Sequence, residues 1–206
     1  MASRYLTLPI EGGKYYHVFK QSSYNGPIFF TEANYQLFLK RFQVVLGNMV
    51  DLLAFCLLPD RFHLVFYARE VILIKDEYVD HPGDVGHFIS ENLRKLFNTY
   101  GLAIIKQEAM PQETVLLDQN FFRCGLETDD RIRQTIALVH RYAEQYGQAA
   151  ALGAFSSYSA ILAKGKSVVE KDAVFALFGD KAHFESFDYK GQVLGPDVFP
   201  LLGGIE

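Results

Sequence analysis

The spacing of apolar and polar residues along the chain predicts a series of strands and helices. Aromatic and β-branched residues predict a strand in KYYHVFKQ, residues 14–21, and the Asn-Gly-Pro segment of 22–27 predicts a turn. Apolar residues then recur at helical spacing over 31–47. Thr31 is a suitable N-cap for this first helix and Gly47 a suitable end.

The next part of the chain predicts a hairpin and a second helix. Two apolar runs, 50–60 and 61–69, meet at Pro59-Asp60, which is typical of a turn between paired strands. After a loop, apolar residues recur on one face of 84–101 and predict the second helix.

The remaining segments predict a fourth strand and further helices. The fourth strand is expected in either LAIIK, 102–106, or ETVLLDQ, 113–119. A third helix is predicted over 129–146, and a last helical stretch over 170–179. The Gly- and Pro-containing tail of 194–206 is expected to be irregular. The third helix has an apolar stripe formed by Ile132, Ile136, Val139 and Ala143.

The order strand, helix, strand, strand, helix, strand predicts an α+β protein of the ferredoxin-like split βαβ type. We expect an antiparallel sheet with helices on one face and a helical C-terminal extension. The corresponding division is 1–160 for the ferredoxin-like domain and 161–206 for an extension packed on it. On the strand 61–69, alternate side chains separate into two sets: Phe62, Leu64 and Phe66 toward the helices, and Arg61, His63, Val65 and Tyr67 toward the other side.

Composition is typical of a globular chain, with 50% hydrophobic and 21% charged residues. The sequence has neither an apolar run of about 18 residues nor a signal-peptide pattern, and its two cysteines do not suggest a disulfide framework. These features predict a cytoplasmic location and no membrane partner. The net charge of −4 argues against a dedicated nucleic-acid binder, and the basic pairs Lys40-Arg41 and Arg94-Lys95 are interpreted as solvated helix surface.

The segment LLPDRFHLVFYA, residues 57–68, contains the first candidate chemistry. Arg61 and His63 are two residues apart on a predicted strand, so both side chains point to the same face. A single strand histidine is more often hydrogen-bonded to a neighbour than bound to a metal, and this structural interpretation is favoured for His63. For His17, on the first strand, a structural role is also the favoured interpretation.

Four longer words occur in order over about residues 14–190. Together they resemble the REP-associated branch of the single-tyrosine transposases, which belongs to the HUH nuclease superfamily (His, a bulky hydrophobic residue, His). The resemblance implies a ferredoxin-like domain that cuts single-stranded DNA at hairpins. It also implies two histidines that hold Mg²⁺ or Mn²⁺ and a tyrosine that forms a 5′-phosphotyrosine link. The four words are YYHVFKQSSYNGPIFFTEANYQLFLKRF, AFCLLPDRFHLVF, SSYSAIL and VFALFG.

The metal-binding word of this family, Pro-Asn-His-hydrophobic-His, is altered in this chain. The corresponding residues run from Pro59 to His63, which places His63 at the second ligand position and Arg61 at the first. A guanidinium stays protonated, has no lone pair to offer and repels a dication. The resemblance therefore implies that Arg61 marks a lost ligand position.

The nucleophile helix of the family carries a pattern like Tyr-Ile-His-x-Asn-Pro, and 138–143 matches it best. Leu138 then stands at the nucleophile position, and Tyr142 at the Asn position where relatives supply a further metal contact. Tyr142 and Tyr146 are weak alternatives for a displaced nucleophile, because small misplacements of a reacting group are costly. Packing or a hydrogen bond is the favoured interpretation of Tyr142.

Three functions remain open at this stage. The favoured hypothesis is a nuclease-inactive, transposase-like protein that retains binding to single-stranded or hairpin DNA, with Arg61 and His63 as candidate DNA contacts. It needs no cofactor. An active transposase or single-strand endonuclease with rearranged residues would need Mg²⁺ or Mn²⁺. A repurposed scaffold would bind a protein, or a second copy, through an open sheet face or an edge strand. The sequence does not decide between a monomer and a homodimer.

Overall fold

The computed structural model describes residues 8–24, 26–147 and 155–187 of the chain, and the side chains of 143–147 are outside that description. The tail predicted to be irregular and the side chain of Tyr146 therefore lie outside the described residues. None of the described helices is both long and apolar enough to span a lipid bilayer.

The described chain contains both strands and helices, and the predicted helices and the hairpin are present. In chain order the elements are β1 (Tyr15–Gln21), α1 (Glu32–Leu46), β2 (Val50–Leu58), β3 (Arg61–Ala68), β4 (Ile72–Ile74), β5 (Glu77–Val79), α2 (Pro82–Gln107), β6 (Phe122–Leu126), α3 (Asp129–Gly147), β7 (Phe155–Ser156), α4 (Tyr158–Leu162), α5 (Lys171–Phe178) and α6 (Lys181–Ser186).

Five of the strands form one sheet in the order β6-β1-β3-β2-β7. Each neighbouring pair is antiparallel. Because α1 joins β1 to β2 while β3 lies between them, the two strands form a split βαβ unit. The predicted α+β fold is confirmed. The short strand β7, which the sequence did not predict, adds an edge beside β2.

Helices cover both faces of this sheet. On one face, the Phe62 ring of β3 lies 4.9 Å from Phe38 of α1 and 5.5 Å from Phe97 of α2, measured between ring centroids. This is the side on which helices were expected. On the other face, His63 contacts Tyr142 of α3 at 4.9 Å. The sheet face that was one of the two surfaces offered by the scaffold hypothesis is thus covered by α3 within the described structure, and the edge-strand alternative is unaffected.

The fourth strand of the ferredoxin-like unit is β6, and both segments predicted for it are wrong. Residues 102–106 continue α2, while 113–119 form an irregular connection. The helix passes through Gly101 because the apolar spacing continues to Ile104, which is fully buried. A short apolar run fits a strand and a buried helix equally well, so spacing alone could not separate the two.

The C-terminal helices pack on α3 through aromatic rings. Phe184 of α6 is buried, and its ring lies 6.0 Å from His140 of α3 and 5.6 Å from Tyr158 of α4. The predicted helical stretch 170–179 corresponds to α5. Side chains on both sides of residue 160 belong to this aromatic cluster. The domain boundary expected at residue 160 stays a prediction.

Candidate functional site

Arg61 and His63 lie together on the sheet face that α3 covers. His63 is only 1% exposed, and the Arg61 side chain, at the first position of β3, is 12% exposed. Strand alternation places both side chains on this face, as predicted. Neither residue lies in an open groove, because α3 closes over them.

The neighbour of His63 is His17 on the adjacent strand β1. The two strands pair so that His17 is opposite Val65, and the nitrogen atoms His17 Nε2 and His63 Nδ1 are 3.1 Å apart. The Phe19 ring stacks on His63 with a centroid distance of 4.7 Å. His63 is therefore a buried strand histidine with a hydrogen-bonded imidazole beside it.

Both imidazoles are held in the neutral form. Burial lowers the pKa of His17 to about 4. Burial also lowers the pKa of His63, and the neighbouring His17 and the positive charge of Arg61 lower it further. The hydrogen bond uses one nitrogen of each ring, and neither His17 Nδ1 nor His63 Nε2 has a hydrogen-bond partner in the described structure. In either tautomer one of these is a buried N–H without an acceptor, which costs stability.

The guanidinium of Arg61 forms hydrogen bonds with two residues, Asp60 and Tyr142. Its Nε and Nη2 donate to the two carboxylate oxygens of Asp60 at 3.0 and 2.8 Å. Its Nη1 donates to the hydroxyl oxygen of Tyr142 at 3.3 Å. The fork on Asp60 matches the geometry that makes arginine–carboxylate pairs strong. We call His17, Asp60, Arg61, His63 and Tyr142 the histidine–arginine cluster.

These residues do not fit a divalent cation. Mg²⁺ and Mn²⁺ prefer oxygen ligands, but the Asp60 carboxylate is bound to Arg61, which brings a permanent positive charge. The Nδ1 of His63 faces another imidazole. Within the part of the chain that the structure describes, no group of three or more His, Cys, Asp or Glu residues is arranged for a metal. No reaction step through a metal follows from this geometry.

Helix α3 contributes Tyr142 rather than Leu138 to the cluster. Tyr142 is 2% exposed, and its ring meets His63 nearly edge-on. Leu138 is half-buried against the core and has no hydroxyl group. Of the three positions considered for a nucleophile, the structure brings one tyrosine, Tyr142, to the histidines, in buried surroundings. The Tyr146 side chain lies outside the described residues.

Another buried histidine, His140 on α3, has a structural partner that the sequence analysis did not identify. His140 Nε2 is 2.7 Å from the hydroxyl oxygen of Ser157, and that hydroxyl also accepts a hydrogen bond from the Phe55 backbone N–H at 2.9 Å. The contact joins α3, β2 and the residue that precedes α4. Ser157 lies in a word quoted for the resemblance and His140 lies in the segment matched to the nucleophile pattern, yet neither gave a signal that the two residues meet.

Comparison with known proteins supports the fold. No known protein family matches this chain, and no curated protein matches it. Among solved structures, a REP-associated tyrosine transposase bound to a REP hairpin is similar, with a TM-score of 0.50 and 12% sequence identity. The match covers 78% of this chain and 86% of that one. At this identity the similarity concerns the fold alone: the chain has a transposase-like fold.

Proposed function

We propose that this protein binds structured single-stranded DNA without cutting it. The observation that carries the proposal is the state of Tyr142, whose hydroxyl accepts a hydrogen bond from Arg61 and is buried with the rest of the ring. A nucleophile must reach the reacting atom in line, and this phenol has no open path to a phosphate. The guanidinium at the first ligand position argues against metal-assisted cleavage as well.

The DNA-binding part of the proposal rests on the shared fold. The similar solved structure holds a DNA hairpin, and the match covers most of both chains. A fold can outlast its original reaction, because function depends on local sites built on the scaffold. The acidic total charge does not oppose binding if positive side chains collect in one place.

The test uses the full chain and a panel of fluorescein-labelled DNA hairpins with different stems. We expect fluorescence anisotropy to show salt-sensitive binding to at least one hairpin, because phosphate contacts release counterions. With Mg²⁺ or Mn²⁺ present, denaturing gels are expected to show neither DNA cleavage nor a covalent protein–DNA band. An unstructured oligonucleotide and a blunt duplex of equal length are the controls.

Each alternative gives a different result in the same experiment. A metal-dependent covalent band that disappears in Tyr142→Phe would identify an active enzyme and refute the proposal. Absence of binding to every hairpin at low salt would leave the protein-binding scaffold as the remaining hypothesis, acting through a surface other than the covered sheet face.

A further inference from the structure

A cavity of about 410 Å³ lies at the β7 edge of the sheet, away from the histidine–arginine cluster. One wall is α1, the floor comes from β2 and β7, and the other wall is the segment between α4 and α5. Its volume is within the range of small-molecule sites. We call it the lysine pocket, lined by Gln36, Leu39, Lys40, Gln43, Phe55, Phe155, Ala160, Ala163, Lys166, Ser167, Val168 and Lys171.

The lining of this pocket has three lysines and no acidic side chain. Lys40 and Lys166 are exposed and form neither an ion pair nor a hydrogen bond with any residue that the structure describes. Lys14, Lys20 and Lys181, elsewhere on the molecule, each meet a carboxylate. In a chain with net charge −4, such a local excess of positive charge around a cavity attracts anions to it.

The segment that carries Lys166 is held in place by Lys171. The ammonium of Lys171 donates to the carbonyl oxygens of Ala163 and Gly165, the second at 3.1 Å. Gly165 has φ of +99°, a backbone conformation that L side chains rarely adopt, so the turn depends on glycine. Since a lysine ammonium has three donors, one N–H of Lys171 is left for a ligand.

The remaining lining suits a nucleobase better than a simple anion. Phe155 is half-buried and stacks with Phe55 at 5.9 Å between centroids, which gives the pocket an aromatic floor. Gln36 and Gln43 lie seven residues apart on one face of α1, and their amides can donate to and accept from base edges. Lysines for phosphate beside an aromatic surface for bases are the usual parts of a single-strand binding site.

A second cavity, of about 570 Å³, shows why charge balance distinguishes the lysine pocket. It is lined by Glu11, His87 and Arg94 among others. Arg94 donates to Glu91 at 2.7 Å, and Glu11 is paired with Lys14, so positive and negative groups compensate each other there. That cavity has no excess of positive charge to hold a phosphate.

We propose that the lysine pocket binds a single-stranded DNA segment, with Lys40 and Lys166 on its phosphates and a base against Phe155. This inference rests on the proposed function and assigns it a location. A single-stranded nucleotide is favoured over an acidic peptide because the aromatic floor gives a base a surface to stack on and gives a carboxylate no hydrogen bond. A free mononucleotide has the same phosphate and base, and the test distinguishes it from a DNA strand.

The test compares Lys40→Gln/Lys166→Gln with Lys75→Gln/Lys106→Gln, a control pair of exposed lysines outside the pocket. Both pairs change the net charge equally. The probes are a fluorescein-labelled hairpin with a thymidine overhang and the same hairpin with a blunt end. With about 0.7 counterions released per phosphate contact, we expect the pocket variant to bind the overhang probe roughly 20-fold more weakly at about 0.1 M salt. The control is expected to lose little.

The possible results separate this inference from the proposed function. Equal affinity of the two variants for the overhang probe would overturn the pocket assignment while hairpin binding itself stands. Failure of the unmodified protein to bind either probe would overturn both. Thymidine monophosphate that binds as tightly as the overhang would also overturn the assignment to a DNA strand, and so would full displacement of the probe by polyglutamate at equal charge.

Photocrosslinking provides an independent readout. An overhang that carries 5-iodouracil is irradiated with the full chain, and the attached peptides are identified by mass spectrometry. We expect attachment to the peptide with Phe155 or to the peptide with Lys166. Attachment confined to the α2 surface, around Lys95 and Lys106, would overturn the inference.

Discussion

The histidine–arginine cluster and the lysine pocket differ in whether their positive charges are paired with a carboxylate. In the cluster, the charge of Arg61 is met by Asp60, and both histidines are neutral and buried. In the pocket, Lys40 and Lys166 are exposed and meet no carboxylate of the part of the chain that the structure describes. The first region is closed under α3, whereas the second is open to solvent.

This difference indicates where binding capacity remains. In the cluster, buried polar groups bond to one another and fix the packing of the elements that carry them, and the two ring nitrogens without partners are buried as well. Exposed, uncompensated charge contributes little to stability but attracts a partner of opposite charge. Changes in the cluster should therefore act on stability, and changes in the pocket on binding.

The largest effect is expected from Tyr142→Ala. The ring is buried between Arg61 and His63, so its removal leaves a cavity and takes away one hydrogen bond of the guanidinium. We expect a loss of about 3–5 kcal/mol in the free energy of unfolding, measured by urea denaturation. Tyr142→Phe keeps the ring and is expected to lose about 1–2 kcal/mol.

Tyr78→Ala is the matched control, because Tyr78 is 79% exposed on the β4–β5 hairpin. It is expected to change stability by no more than about 0.5 kcal/mol. Similar losses from Tyr142→Ala and Tyr78→Ala would mean that α3 does not close over the cluster in solution, and the site would again be a candidate for catalysis.

A smaller loss is expected on acidification. Burial lowers the pKa of His17 from 6.5 in the unfolded chain to about 4. Above pH 6.5 neither state binds this proton, so the native state keeps its full stability. Between pH 6.5 and 4 the unfolded chain takes up the proton and the native state does not, so stability falls with pH. The expected loss from this one group is about 3 kcal/mol.

The acid effect is measured as the difference between two stability curves from pH 7 to 4. His17→Gln keeps an amide that can donate to His63 Nδ1 but does not titrate. We expect its curve to fall less steeply than that of the unmodified protein. His87→Gln, at an exposed position, is the control. Parallel curves for His17→Gln and the unmodified protein would show that His17 is accessible to solvent protons in the native state.

Much of the fold could be predicted from local spacing, and much of the site could not. The apolar period over 31–47 defines α1, and strand alternation places Phe62 and His63 on opposite faces. These inferences need only neighbours in sequence. The hydrogen bond between His17 and His63 depends on strand register, and the contact of Tyr142 with Arg61 depends on where α3 docks. Neither is encoded in a local pattern.

The lysine pocket likewise could not be predicted from a local sequence pattern. Lys40 was interpreted as solvated helix surface, which describes its exposure but misses its surroundings. Lys166 comes near it because β7, a strand of two residues, pairs with Cys56 and Leu57 at the sheet edge. So short a strand has no periodicity to detect. The excess of positive charge around the pocket can be recognised only from the three-dimensional positions of α1 and of the segment between α4 and α5.

The smallest effect on stability is expected from Lys40→Gln/Lys166→Gln, the variant that should weaken DNA binding most. Both side chains are exposed and form no ion pair with the residues that the structure describes, so their removal costs no ion pair there and lowers the positive charge around the pocket. We expect urea denaturation to give a free energy of unfolding within about 0.5 kcal/mol of the unmodified protein, or slightly higher. A loss of more than about 1 kcal/mol would show that the lysines support the fold. Stability and binding would then not be divided between the two regions. An unchanged or raised stability together with weakened binding would mean that the uncompensated charge is kept for a partner, since the fold itself gains nothing from it.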